Sequence, residues 1–393
     1  MKRKVMLLMT GLYYGGMERV VFIAQSLIKK EYDVTVVTLY AKDADYEPDF
    51  EYIDLNCPPK GGKISKSLNV LKRVSKVRKI KNKIKPDIVM SFGTSANFAN
   101  VLSKGKEKVV VGIRSYDWLT NYFVNYSIDR WTYNRADRVV SVSKLIAQDA
   151  ERIFTLSKEK SKVLYNPYDV DFICKKAEEH LDEINLPNTD KLIISVGRLV
   201  NQKGFNHLIK AFSLVIQNHP DAHLMIVGHG EKEDELRKLI LNLGIQDNVI
   251  LTGGQSNPYK FMKNANLYAL SSVTEGFPNA MVEAMSIGLP ILAVDCKSGP
   301  REILSTLDSN NSTYRNKGLE KCDYGVISME SSKSFDYNAD NIEKCDQVLA
   351  EGIDKFLSSE SLRKEYSIKS RKRAQEFTYD RFKSSLLNIL NEL

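Results

Sequence analysis

Short apolar runs alternate with longer stretches in which apolar residues recur every three or four positions, and this rhythm fills most of the chain. The runs at 5–9, 33–39, 87–91, 108–113, 137–142 and 162–165 read as buried strands, and 17–30 and 68–84 carry helical periodicity. At Asn166-Pro167-Tyr168-Asp169 the rhythm breaks into a turn. A charged, strand-poor stretch to about residue 190 then predicts a hinge. The rhythm restarts with strands at 191–196, 222–227, 248–251, 267–270 and 290–294, and helices at 205–217 and 231–243. Residues 305–317 are polar and read as a surface loop, and 342–357, 361–377 and 379–392 read as helices. Alternation of this kind implies parallel, doubly wound sheets, and its interruption implies two of them. A length of 393 residues suits two cores better than one.

The segment Glu275-Gly276-Phe277-Pro278-Asn279-Ala280-Met281-Val282-Glu283 follows one of the predicted strands. Pro278 suits a first helical turn, so the stretch reads as strand, loop, helix, with Glu275 in the loop and Glu283 about one turn into the helix. A helix start presents unpaired backbone N–H groups and a positive dipole end, which suits a phosphate. Carboxylates cannot ligate phosphate, but they suit hydroxyls. An anion beside a polyol is the shape of a sugar nucleotide. Upstream, a strand ending at Gly197 leads to Arg198 and Lys203. Ligands of open parallel sheets bind beyond the strands' carboxyl ends, and two cations there suit a diphosphate.

These residues resemble the E-x7-E signature of the retaining glycosyltransferases of family 4, the group 1 enzymes with two Rossmann-like domains. Three further segments agree in order and distance: Gly15-Gly16-Met17-Glu18-Arg19, Val196-Gly197-Arg198 with Lys203-Gly204, and Ser298-Gly299-Pro300-Arg301-Glu302-Ile303. The resemblance implies two Rossmann-like domains facing across a cleft, the GT-B fold. Residues 1–166 would form the acceptor domain and 167–376 the nucleotide-sugar domain, with 377–393 a helix returning to the first. By the same resemblance Arg198 and Lys203 bind the donor diphosphate and stabilise it as leaving group. Glu283 binds the ribose and Glu275 the sugar ring. The backbone of Gly276, Phe277, Asn279 and Ala280 contacts sugar and phosphate, and Gly15 and Gly16 close on the donor or acceptor, with Tyr13 and Tyr14 beside them as candidate stacking rings. The implied donor is uridine-linked, and the reaction is front-face, with the departing phosphate helping to deprotonate the acceptor hydroxyl. Many members carry a histidine near the reacting sugar, whereas this chain has none before His180. Arg114 or Asp117 is expected to fill that space, with Asn97 a further acceptor-side candidate. The implied acceptor is a glycan or a lipid-diphosphate-linked glycan, in capsule, exopolysaccharide or cell-wall assembly.

Composition narrows the setting. Five scattered cysteines, without metal-type pairing, favour a reducing compartment over a disulfide framework. No stretch approaches the ~20 apolar residues that span a bilayer, so the expected location is the cytosol, including the inner face of the membrane. No metal or other cofactor is expected. Asp43-Ala44-Asp45 matches a D-x-D metal motif only formally and reads as a solvated loop, the two cations and a helix end taking the metal's part. The net charge is +8, and eleven Lys and Arg with no acid fall between residues 60 and 85. There Ile64, Leu68, Leu71, Val74, Val77, Ile80 and Ile84 recur at helical spacing, predicting a helix with its apolar side on the sheet and a basic face toward anionic lipid. No nucleic-acid motif accompanies the charge. Two rival activities fit the same fold: a sugar-nucleotide epimerase, disfavoured by the scarcity of histidine, and a non-catalytic partner subunit, disfavoured because both cations and both glutamates are present.

Overall fold

The computed structural model describes residues 2–12, 16–42, 50–58, 63–116, 122–181, 186–306, 318–333 and 335–393, the side chains of 63–67 and 122–125 excepted. The chain divides into two compact units, Met1–Pro167 with Tyr379–Leu393, and Tyr168–Thr378.

The first unit is built on seven strands: β1 (Lys4–Met9), β2 (Asp33–Thr38), β3 (Tyr52–Asp54), β4 (Ile88–Phe92), β5 (Lys108–Ile113), β6 (Arg138–Ser141) and β7 (Ser161–Val163). Their order is β3-β2-β1-β4-β5-β6-β7, all parallel. Alternation along β1 decides which helices cover which face. Val5, Leu7 and Met9 pack with Val20, Val21 and Ala24 of the helix Gly16–Ile28 and with Phe382, Leu386 and Leu390 of the C-terminal helix Tyr379–Asn391. Met6 and Leu8 point the other way, onto Val74 and Val77 of the helix Lys63–Ile84 and Ala96 and Ala99 of the helix Thr94–Leu102.

The second unit repeats the plan with β8 (Leu192–Val196), β9 (His223–Val227), β10 (Val249–Leu251), β11 (Leu267–Leu270), β12 (Ile291–Val294), β13 (Glu320–Lys321) and β14 (Val326–Ser328). The order is β10-β9-β8-β11-β12-β14-β13, and only β13 runs antiparallel. Both sheets therefore reverse their winding once, between β1 and β4 and between β8 and β11. The charged stretch after Asn166 contains a helix, Val170–Ala177, which the Asp169 side chain caps by accepting from the Phe172 N–H. The antiparallel β13–β14 pair and the three-residue β3 carry too few apolar positions to register as sequence patterns. All five cysteines are free thiols, and among the described residues no helix is long and apolar enough to cross a membrane.

The basic helix departs from its predicted amphipathic split. Val74 and Val77 are buried, but Leu68 and Leu71 are 62% and 65% exposed. Several cations are tied to the chain's own backbone: Arg73 donates to the Cys57 carbonyl, Arg78 to that of Leu102, and Lys76 to that of Leu55. Lys81 is buried and donates at 2.8 Å to the backbone and side-chain oxygens of Asn100 and to Glu107. Burial pushes its pKa down to about 8 against the pull of Glu107. Removing one partner of a buried pair strands the other, at a cost of about 3–5 kcal/mol, whereas removing both is far cheaper. Lys81→Met alone should therefore cost about 3 kcal/mol in urea unfolding, and Lys81→Met with Glu107→Gln clearly less.

Candidate active site

In the second unit the winding reverses between β8 and β11, and the chain beyond these two strand ends carries the predicted motifs. After β8 the chain runs through Gly197 and Arg198 into a 3-10 turn, Asn201–Lys203, and then through Gly204 into the helix Phe205–Val215. Gly204 has φ +61°, and a Cβ there would lie 2.2 Å from the Ser271 carbonyl oxygen at the end of β11. Glycine is thus required twice, for the backbone conformation and for the contact. Three hydrogen bonds lace this turn to the chain leaving β11. Ser271 Oγ donates to the Lys203 carbonyl at 2.9 Å, the Val273 N–H to the Gln202 carbonyl at 2.9 Å, and Gln202 Nε2 to the Thr274 carbonyl at 2.9 Å.

Two predicted residues meet as a result. Lys203 Nζ donates to Glu275 Oε1 at 2.7 Å, and Ser272 Oγ donates to the same oxygen at 2.7 Å. Glu275 is buried, while the Lys203 ammonium is partly open. Arg198 is exposed, and among the described residues no side-chain hydrogen bond or ion pair holds it. Glu283 is buried one turn into the helix Asn279–Ile287, where Tyr259 Oη donates to its Oε1 at 3.3 Å. Below them lies Tyr268 of β11, fully buried. Burial first, then the charges of Glu275 and Glu283, hold its phenol above the usual range. The two carboxylates thus share one neighbour.

The helix Asn279–Ile287 starts at Pro278 with no side-chain cap. Its entry loop is propped from below by residues 297–299. Ser298, itself at φ +67°, donates to the Gly276 carbonyl at 2.8 Å. Gly299 sits where a Cβ would come within 2.5 Å of Pro278 Cδ. Arg301, in the next turn, forks onto Asp295 and Glu320 with four bonds of 2.6–3.0 Å. Two predicted ligands have structural side chains. Phe277 packs edge-on against Phe377 at 5.3 Å, and Asn279 Oδ1 accepts from Tyr168 Oη at 2.6 Å. Cys296, buried nearby, has its thiol held well above the usual range by burial and then by Glu275, so it stays protonated.

In the first unit Gly16 opens its helix, while Gly15, Tyr13, Tyr14, Asp43, Asp45 and Asp117 lie outside the described residues. Asn97 is buried and fully engaged: its Oδ1 accepts from Ser91 and its Nδ2 donates to the Gly112 carbonyl, both at 2.8 Å. Its side chain pins the helix Thr94–Leu102 to β4 and β5, which leaves no free end for an acceptor. Arg114 donates to the Leu164 carbonyl at 3.2 Å and to the Asn166 side chain. Ser271, Ser272, Gln202, Tyr259 and Tyr168 escaped the sequence reading because serines after a strand and isolated tyrosines carry no spacing signal. Ser298 and Gly299 were visible as part of a motif.

Two family descriptions match the chain in succession: Glycosyltransferase Family 4 over residues 14–172, and Glycosyl transferases group 1 over 176–313. An uncharacterized glycosyltransferase of Methanocaldococcus jannaschii is 30% identical over 378 residues, 90% of this chain and 91% of that one. The chain belongs to the group 1 glycosyltransferases of family 4 type. Another relative of this glycosyltransferase, 28% identical over 92% of each chain, is the Campylobacter jejuni N-acetylgalactosamine-N,N'-diacetylbacillosaminyl-diphospho-undecaprenol 4-alpha-N-acetylgalactosaminyltransferase. The fold of this chain is that of Anabaena HepE, solved with UDP and glucose (TM-score 0.72, 18% identity, all of both chains). It is also that of a sucrose-phosphate synthase from Thermosynechococcus elongatus (TM-score 0.77, 14% identity, 100% of this chain and 99% of that one). The two-Rossmann GT-B fold of the enzyme is thereby established.

The lacing of the two loops predicts that Gly204→Ala will lower stability by at least ~2 kcal/mol through strain and contact. Chemical unfolding measures this, and a cost below ~0.5 kcal/mol would contradict the geometry.

Proposed function

We propose that this glycosyltransferase moves a sugar from a uridine diphosphate donor to a lipid-diphosphate-linked glycan, with retention and without a metal. The observation that carries the reading is the Lys203–Glu275 pair at the β8/β11 switch point, beside an uncapped helix start. There Arg198 and Lys203 neutralise the diphosphate, the start of the helix Asn279–Ile287 adds backbone donors, and Glu283 accepts from the ribose hydroxyls. Glu275 spends one oxygen on Lys203 and Ser272 and keeps the other for a sugar hydroxyl. In the reaction the bond from the anomeric carbon to the diphosphate oxygen breaks, and its electron pair leaves with the diphosphate. The acceptor oxygen bonds to the same face of that carbon, and its proton passes to the departing phosphate. Charge grows on the leaving group, so cations already fixed beside it stabilise the transition state more than the ground state. UDP and glucose in the structure of HepE support the donor class, and the undecaprenol-linked acceptor of the Campylobacter relative supports the acceptor class.

A lipid-linked acceptor requires the enzyme to work at a membrane, and the basic helix supports this. Leu68, Leu71, Lys72, Ser75, Lys79, Asn82 and Lys83 are exposed and follow one another at spacings that place them on a single stripe. Leucines at one end and lysines along the rest suit an anionic bilayer surface on the cytoplasmic side.

Two measurements test these readings. With a panel of uridine, guanosine and adenosine diphosphate sugars, one uridine-linked donor should raise the melting temperature. Glu283→Ala should weaken its binding by roughly tenfold or more, and Lys203→Ala should lower kcat/KM about a hundredfold. An equal response in wild type and Glu283→Ala would sink the donor assignment. Separately, Lys72, Lys79 and Lys83 changed to Gln should reduce co-sedimentation with anionic vesicles, and Leu68→Ser with Leu71→Ser should reduce it further. Unchanged sedimentation would remove the membrane from the account.

A further inference from the structure

The turn Asn201–Lys203 and the helix Phe205–Val215 that continues it are held by a second segment of the same unit, residues 336–346, one polar contact reaching the turn and the others the first turns of the helix. Tyr337 Oη donates to Asn201 Oδ1 at 2.9 Å. Asn206 Nδ2 donates to the Asp336 carbonyl at 3.3 Å. His207 Nδ1 donates to Asp346 Oδ1 at 2.6 Å, with both side chains almost completely buried. Lys210 Nζ, also buried, donates to the Asn341 carbonyl at 2.8 Å. The segment is itself fixed. Asp336 accepts from the Asn338 N–H and the Asn341 side chain, and Glu343 and Asp346 form a reciprocal capping box at the start of the helix Lys344–Leu357.

We infer that residues 336–346 are a strap that sets the position of the diphosphate loop, with His207 and Asp346 as its positioning residues. This rests on the reading of Arg198 and Lys203 as diphosphate ligands.

The argument is geometric. The His207 N–H donates to the Gly204 carbonyl at 3.0 Å, so a shift of this first helical turn passes directly to Gly204 and Lys203. Lys203 must reach Glu275 at 2.7 Å and an anion beside it, and misplacement by about 1 Å can cost a hundredfold in rate. Apolar packing between the helices Phe205–Val215 and Lys344–Leu357 supplies cohesion without a fixed register. A buried ion pair has the opposite character, since its desolvation offsets most of its attraction and its directionality remains. Burial pulls the His207 pKa down, but the bonds to Asp346 and Cys345 outweigh it and hold it up at about 10. Its Nδ1 faces Asp346, while its Nε2 is buried without a hydrogen-bond partner among the described residues. Cys345 Sγ lies 3.8 Å from His207 Nδ1 and 3.7 Å from Asp346 Oδ1. Both Asp346 oxygens are already engaged, one by the imidazole and one by the Glu343 N–H, so the cluster acts as a hydrogen-bonded clasp.

The test is calorimetric titration of the full chain with UDP, with thermal melting of the same samples. Tyr337→Phe removes one strap contact without disturbing the core and should raise the UDP Kd about threefold to tenfold. His207→Leu should raise it more, and His207→Asn, which can still donate to Asp346, should recover part of the loss. Ile353→Val, buried in the helix Lys344–Leu357 away from the strap, should lower the melting temperature and leave the UDP Kd within about twofold. If Lys203→Ala weakens UDP binding while Tyr337→Phe and His207→Leu bind within about twofold of wild type, the strap is structural only and the inference fails. If Lys203→Ala binds UDP as wild type does, the diphosphate reading fails and takes the strap with it.

Discussion

The candidate site depends on one close approach, the backbone of Gly204 lying against the carbonyl of Ser271. No side chain fits between them, so the turn after β8 comes down directly on the end of β11. From that contact the rest follows. The Ser271, Gln202 and Val273 hydrogen bonds become possible, Lys203 is brought within reach of Glu275, and Arg198 is left at the exposed rim. A parallel sheet that reverses its winding leaves a gap beyond its strand ends at one point. Here that gap is furnished with two cations, two carboxylates and an uncapped helix start, all from one unit.

Holding charge in such a place has a cost, and the structure offsets it by pairing. Glu275 is buried but takes hydrogen bonds from Lys203 and Ser272, and Glu283 takes one from Tyr259. Arg301 draws Asp295 and Glu320 together beneath the loop of residues 297–299 that supports Gly276 and Pro278. Buried pairs of this sort add little net stability, because desolvation offsets most of the attraction, but they are directional. They therefore fix donors and acceptors in place before a ligand arrives, which is what electrostatic catalysis requires of a protein.

Much of this was legible in the sequence, for physical reasons. Strands buried on both faces read as continuous apolar runs, so most of both sheets could be drawn from pattern alone. Gly204, Glu275 and Glu283 were visible because a turn, a loop and a helix start each leave a local signature. What escaped was whatever depends on long-range packing. The helix Val170–Ala177 was hidden in a charged stretch, and the β13–β14 pair is too short to show a period. Asn97 looked like a polar group free for a ligand, and only the fold shows it spent on Ser91 and Gly112. Likewise nothing near Phe277 in the sequence announces Phe377 as its partner.

The basic helix shows most clearly why composition alone misleads. Its cations look equivalent in the sequence, yet Lys81 is neutralised in the interior by Glu107, and Arg73, Lys76 and Arg78 are drawn onto backbone carbonyls. The outward stripe keeps Lys72, Lys79 and Lys83. At about 1 kcal/mol for each cation near an anionic surface, three lysines alone would give only weak, salt-sensitive attachment. Leu68 and Leu71 change that sum, since burying a leucine side chain in the acyl boundary is worth roughly as much as two lysines at the surface. The mis-predicted residues are thus the ones that matter most to the membrane reading. Their exposure costs the folded chain apolar burial, and a bilayer surface is the environment in which that burial would be recovered. Attachment through both kinds of contact would stay reversible, as the proposed pairing of a lipid-linked acceptor with a nucleotide donor drawn from water would require.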